Sequence, residues 1–108
     1  MSHVTTHVLD AVTGAPAAGV AVTLAVADVG EPIALGVTDA DGRVSDLGPD
    51  ALEPGGYAIS FATGDYFAAQ HREAFYPSVT ITFQIANAAH YHVPLLLSPF
   101  GYSTYRGS

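Results

Sequence analysis

The chain has 108 residues, of which 49% are hydrophobic and 12% charged, with no cysteine and a net charge of -7 from 10 acidic against 3 basic side chains. That length is close to the common size of one domain, the missing cysteines exclude disulfides and thiolate chemistry, and the charge balance argues against nucleic acid or an anionic membrane surface as partner. No run approaches the roughly 20 apolar residues of a membrane-spanning helix, and the start Met1-Ser2-His3-Val4-Thr5-Thr6-His7 lacks the cationic and apolar parts of a secretory leader, so a soluble, cytoplasmic protein is expected.

The apolar pattern alternates with period two along most of the chain, which predicts half-buried strands. Val4–Asp10 opens the series as a strand over 4–10 and is followed by the turn signal Thr13-Gly14-Ala15-Pro16. A second strand is predicted over 20–29, where Val20, Val22, Leu24 and Val26 alternate with smaller or polar residues, and Gly30-Glu31-Pro32 separates it from a third over 33–38. After Asp39-Ala40-Asp41-Gly42 come a short strand over 43–46, the turn signal Glu53-Pro54-Gly55-Gly56 and a strand over 56–62. The one helical candidate is Gly64–Arg72, short, free of β-branched residues, stopped before Tyr76-Pro77 and expected to cap an edge. Strands over 78–86, 90–97 and 101–105 complete the chain. Turn signals at these intervals predict an all-β antiparallel sandwich, and the lack of any repeat, linker or low-complexity stretch predicts one domain over residues 1–108. A chain this small buries only somewhat more than ~60% of its unfolded surface, so a water-excluding cleft is expected between subunits.

Strand parity assigns side chains to faces. From His90 onward, the all-apolar set Tyr91, Val93, Leu95 and Leu97 is the core face, which turns His90, His92, Pro94 and Leu96 outward. In the first strand His7 shares a side with Thr5 and Leu9, opposite Val4, Thr6, Val8 and Asp10, and neither side is decisive. Ser103 and Tyr105 share a side of the last strand. Pro94 lacks the N–H of a ladder bond, so the sheet is expected to have an edge there. With only Arg43, Arg72 and Arg106 as cations, each is a candidate for local positive charge, whereas His3 and His71 suggest only exposure.

The segment His90-Tyr91-His92-Val93-Pro94-Leu95-Leu96-Leu97-Ser98-Pro99-Phe100-Gly101-Tyr102-Ser103-Thr104-Tyr105-Arg106-Gly107-Ser108 resembles the end of the transthyretin-related 5-hydroxyisourate hydrolases, including their closing Tyr-Arg-Gly-Ser. His7-Val8-Leu9-Asp10-Ala11-Val12-Thr13-Gly14-Ala15-Pro16-Ala17 and Thr38-Asp39-Ala40-Asp41-Gly42-Arg43 agree with the same family, so the likeness covers essentially the whole chain. The resemblance implies a prealbumin-like (transthyretin-like) sandwich of two four-stranded sheets with one short helix, assembled as a homotetramer with active sites at a subunit interface. It also implies hydrolysis of 5-hydroxyisourate in urate degradation. On that resemblance His7, Arg43, His92 and Ser108 are the catalytic positions, and His7, Arg43 and Tyr105 contact the substrate.

Hydrolysis of a cyclic acyl–nitrogen bond needs an activated water, and a neutral imidazole suits that task. His7 and His92 are both candidates for the base. Arg43 offers a planar fork of donors to the charge that develops on the attacked oxygen. No cofactor or metal is required, although His7, His90 and His92 together form a conceivable zinc set. Two non-enzymatic readings remain. A hormone-carrier-like protein needs open space where His92 and Tyr105 stand, and a secreted adhesion module would be tandem and preceded by a leader.

Overall fold

The structure is a computed structural model that describes residues 2–108. Among these the elements run β1 (Val4–Asp10), β2 (Ala15–Pro16), β3 (Ala21–Val26), β4 (Pro32–Val37), β5 (Arg43–Val44), β6 (Gly55–Phe61), α1 (Thr63–Ala68), β7 (Val79–Ile85), β8 (Tyr91–Ser98) and β9 (Gly101–Thr104). They form two sheets, one ordered β4-β3-β6-β7 and the other β2-β1-β8-β9 with β5 also paired to β1. Strand β2 pairs with Leu9 and Asp10 and β5 with Thr6 and His7, so the two short strands follow each other along one edge of β1. Each sheet is therefore four lanes wide, the sandwich expected from the resemblance.

The core lies between the sheets, where Val4 and Val8 of β1 and Tyr91, Val93, Leu95 and Leu97 of β8 meet Val22, Leu24, Ile59, Phe61, Val79 and Ile85 of the second sheet. The parity predicted for β8 holds, and the undecided face of β1 is settled by two polar residues that point inward and are satisfied there. Thr6 donates to the Val93 carbonyl at 2.6 Å. Asp10 is 0% exposed and accepts from Arg72 Nη1 at 2.7 Å, Tyr66 Oη at 3.1 Å and the backbone N–H groups of Val12 at 3.0 Å and Thr13 at 3.2 Å. Val4, Thr6, Val8 and Asp10 thus form the inner face, leaving Thr5, His7 and Leu9 on the outer one.

Several expected boundaries shift for local reasons. Strand β3 stops at Val26 because Asp28 (φ 67°) and Gly30 (φ 85°) take left-handed turn conformations. The helix ends at Ala68, four residues before the expected Arg72, with His71 at φ 57° and the Arg72 N–H bonded to the Phe67 carbonyl at 3.0 Å, the pattern of a left-handed C-terminal cap. That cap delivers Arg72 to Asp10 and over the Phe67 ring, so this arginine serves the fold. The pairing of β1 with β8 is parallel rather than antiparallel, because the chain crosses the other sheet between them. Pro94 does not mark a sheet edge: it lies between β1 and β9, and its missing N–H coincides with a gap in the β8-β9 ladder, which runs from Ser98 to Leu95 and resumes at a single His92↔Gly107 bridge. His3 is likewise not exposed but 4% accessible, accepting from the Leu52 N–H through Nδ1 at 2.9 Å and placing Nε2 3.1 Å from the Asn87 carbonyl.

Desolvation alone would raise the Asp10 carboxyl, yet the hydrogen bonds from Arg72, Thr13, Tyr66 and Val12 outweigh it and hold the group below the ordinary carboxylate range. Its stabilisation is accordingly intact above about pH 4 and is lost as pH falls through the depressed value. Asp10→Ala strands a largely covered arginine and two backbone donors, at a cost of about 3 kcal/mol. Thermal melting should register that loss as a drop of at least ~10 °C, and an unchanged midpoint would show that the cluster carries no net stability.

Candidate active site

The loop before β5 aims Arg43. Asp39 Oδ1 accepts from the N–H groups of Asp41 at 2.9 Å and Arg43 at 3.0 Å, while the Asp39 N–H donates to the Arg43 carbonyl at 3.0 Å. Those two backbone donors, Arg43 first, draw the Asp39 carboxyl below its usual range. Gly42 adopts φ 75° and its carbonyl takes the Val8 N–H at 2.7 Å, so the turn is pressed against β1, where a Cβ at position 42 would collide with the Val8 carbonyl. The block Thr38–Arg43 is therefore a tight clasp that sets Arg43 directly beside His7.

Register then assembles the outer face in two rows. Arg43, His7 and Pro94 lie side by side across β5, β1 and β8, and Thr5, His92 and Gly107 form the neighbouring row. Two residues along a strand separate the rows, about 7 Å. Thr5, Thr6, Arg43, Val44, Ser45, His90, His92 and Ser108 line an open cleft of about 200 Å³ between and around them. The hydroxyl of Thr5 lies 2.8 Å from His90 Nε2 and 2.8 Å from His92 Nδ1, which leaves Nε2 of His92 as the ring nitrogen without that tether. Gly107 donates its N–H to the His92 carbonyl at 2.8 Å and thereby brings Ser108 to the rim.

Burial first, then the positive charge of Arg43 and the neighbouring His7 and His90, lower the pKa of His92 below the 6.5 of a free imidazole. That shift favours the neutral form of the half-buried ring, the form an acceptor of protons must take. Among the described residues no group of three His, Asp or Glu side chains is placed to hold a metal ion, and His90 and His92 are instead joined through the Thr5 hydroxyl.

Of the residues singled out from the sequence, Arg43, His92 and Ser108 line the one cleft and His7 stands next to Arg43. Tyr105 is not in it. It follows the end of β9, is 59% exposed, and borders an adjacent apolar hollow of about 270 Å³ with Ile81, Phe83, Tyr91 and Arg106, a hollow that shares the wall formed by His92. Arg106 lies over the Tyr91 ring at 4.2 Å, so among the three arginines Arg43 alone faces the cleft. Thr5 went unnoticed in the sequence, where it reads as an ordinary strand residue. Only the parallel β1-β8 register sets it opposite His92.

The model of the HIUase/Transthyretin family matches residues 4–107. A 5-hydroxyisourate hydrolase of Salmonella dublin is 48% identical over 106 residues, covering 94% of this chain and 78% of that protein. The solved structure of Klebsiella pneumoniae 5-hydroxyisourate hydrolase superposes with a TM-score of 0.91 at 42% identity, covering 100% of this chain and 94% of that one. The transthyretin of Sparus aurata superposes with a TM-score of 0.89 at 34% identity over 99% of this chain and 97% of that one. On this evidence the chain belongs to the HIUase/Transthyretin family.

Proposed function

We propose that this protein hydrolyses 5-hydroxyisourate to 2-oxo-4-hydroxy-4-carboxy-5-ureidoimidazoline in urate degradation. The observation that carries the reading is the convergence of His92, tethered through Thr5, and Arg43 on one cleft of the outer face. In this reading His92 Nε2 takes a proton from water as its oxygen attacks the ring carbonyl. The Arg43 guanidinium stabilises the negative charge that forms on the carbonyl oxygen. The C–N bond then breaks, and the proton returns from His92 to the leaving nitrogen, so that the balance is the addition of one water. His7 binds substrate beside Arg43, Ser108 hydrogen-bonds it from the rim, and Tyr105 supplies a wall from the adjacent hollow. No step calls for a cofactor.

The working particle in this proposal is a homotetramer in the cytoplasm, with each site completed by another copy. A cleft of about 200 Å³ falls short of the ~300 Å³ and upward that enclose small ligands. Phe75, Phe100 and Leu35, at 70%, 65% and 70% exposure, leave apolar surface for an assembly to cover. The experiment is to form 5-hydroxyisourate in situ from urate and urate oxidase and follow its ultraviolet decay with and without the protein. Accelerated decay by a particle of four-chain mass in light scattering is the expected result. Unchanged decay would refute the hydrolase reading, and full activity in a monomer would refute the shared site.

A further inference from the structure

The two contacts of Thr5 reach beyond holding a strand in place. We propose that Thr5 is a positioning residue that joins His92 to His90 in a proton relay, fixing the tautomer of His92 and passing its surplus proton to the surface. The inference rests on the hydrolytic reading of the cleft.

A threonine hydroxyl carries one proton, so it cannot donate to both rings at 2.8 Å. When it donates to His90 Nε2 it accepts from His92 Nδ1–H, and the Nε2 lone pair of His92 faces the cleft as a base. When it donates to His92 Nδ1 it accepts from His90 Nε2–H, and His92 presents Nε2–H to the cleft as an acid. The two states differ by a shift of protons along one line. As His92 Nε2 accepts the proton of the attacking water, its Nδ1 proton passes to Thr5 Oγ1 and the Thr5 proton passes to His90 Nε2. The hydroxide adds to the carbonyl carbon, His92 remains neutral, and the positive charge sits on His90. His92 then delivers its Nε2 proton to the leaving nitrogen as the C–N bond breaks, and the relay runs back.

The surroundings favour this division of labour. His92 is half-buried beside Arg43, where a second positive charge is unfavourable, whereas His90 is exposed and its charge is solvated. Thr5 is 9% exposed and β-branched, on a strand whose backbone is paired with His92 itself, so its hydroxyl has little freedom to leave the line.

The test uses Thr5→Val, which keeps the shape and removes the hydroxyl, Thr5→Ser, which keeps the hydroxyl, and His90→Ala, which removes the far acceptor from an exposed position. Long-range 15N–1H correlation of the histidine rings in the resting protein reads the tautomer without any turnover. In the unmodified protein His92 should show the Nδ1–H form, and in Thr5→Val it should revert to the Nε2–H form that free imidazoles favour. Thr5→Val and His90→Ala should each lower kcat at least ~10-fold with KM within about twofold, and Thr5→Ser should restore it, since a positioned proton acceptor contributes 100-fold or more in total. An unmodified protein that does not hydrolyse the substrate would refute the hydrolase reading, while the tautomer comparison would still decide the hold of Thr5 on His92. An unchanged His92 tautomer in Thr5→Val, or full kcat in His90→Ala, would overturn the relay. Should Thr5→Val fail to fold, His90→Ala and Thr5→Ser decide by the same criteria.

Discussion

Replacing His92 by Asn lowers the turnover of 5-hydroxyisourate at least ~100-fold, equivalent to about 2.7 kcal/mol of barrier, while the melting temperature stays within a few degrees of the unmodified protein. The two effects separate because His92 is half-buried on the outer face and contributes nothing to the layer between the sheets, whose β8 members are Tyr91, Val93, Leu95 and Leu97. The pH profile gives the same assignment a second, independent reading. A base works only when unprotonated, so the rate is lost as pH falls through its pKa. Burial, followed by Arg43, His7 and His90, moves that of His92 down, and the acid limb should therefore lie below the 6.5 of a free imidazole. Arg43→Gln removes the second of these causes and should bring the limb back toward 6.5 while also lowering the plateau. An acid limb at or above 6.5 in the unmodified protein, or normal turnover in His92→Asn, would take the base role away from this residue.

Legibility of the fold tracked how far each residue's partners lie along the chain. Strand β8 could be oriented from its own alternation, because its inward set is apolar throughout and its outward set carries His92. Strand β1 could not, because Thr6 and Asp10 point inward and their sequence neighbours do not say why. The side-chain donors that make Asp10 tolerable there come from 56 and 62 residues away, one on the helix and one just past its left-handed cap at His71, which no propensity would suggest. The burial of His3 is hidden in the sequence for the same reason, since the groups that meet its ring belong to Leu52 and Asn87, 49 and 84 residues distant. Proline at position 94 suggested an edge by the usual rule, but a central strand can tolerate it where the neighbouring ladder is already interrupted, as here between Leu95↔Thr104 and His92↔Gly107.

The candidate site divides in the same way. His7, Arg43, His92, Ser108 and Tyr105 were named through likeness to a family, not through spacing, because the three elements that carry His7, Arg43 and His92 meet only after the sandwich closes. The turn that aims Arg43 was partly visible, as Asp39 and Gly42 are the residue types that such a turn demands. Thr5 was invisible, since its importance depends on a register between β1 and β8 that nothing local encodes.

Gly107→Ala should reduce turnover about 100-fold without destabilising the fold, although it adds a single methyl group near the end of the sequence. Such positions usually tolerate change, but here the segment after β9 turns back over the outer face and is bridged to His92. A Cβ at residue 107 would stand 2.6 Å from His92 Cδ2, 3.3 Å from His92 Cγ and 3.1 Å from Pro94 Cγ. No real Cβ tolerates the first of these distances, and Pro94 is a rigid ring in mid-sheet, so either the imidazole swings away or the segment lifts. Swinging the imidazole breaks the 2.8 Å contact between His92 Nδ1 and Thr5, and lifting the segment carries Ser108 off the rim and Tyr105 from the adjacent wall. Either displacement is of order 1 Å, enough to cost about 100-fold where the reacting groups must be aligned. Stability responds differently, because the loss of one hydrogen bond, about 1 kcal/mol, is offset by the lower backbone entropy of alanine in the unfolded chain. The decay assay and thermal melting, run together, read the two quantities separately. Normal turnover in Gly107→Ala would mean that residues 105–108 do not pack on His92 in solution, and the roles given to Tyr105 and Ser108 would fall with it.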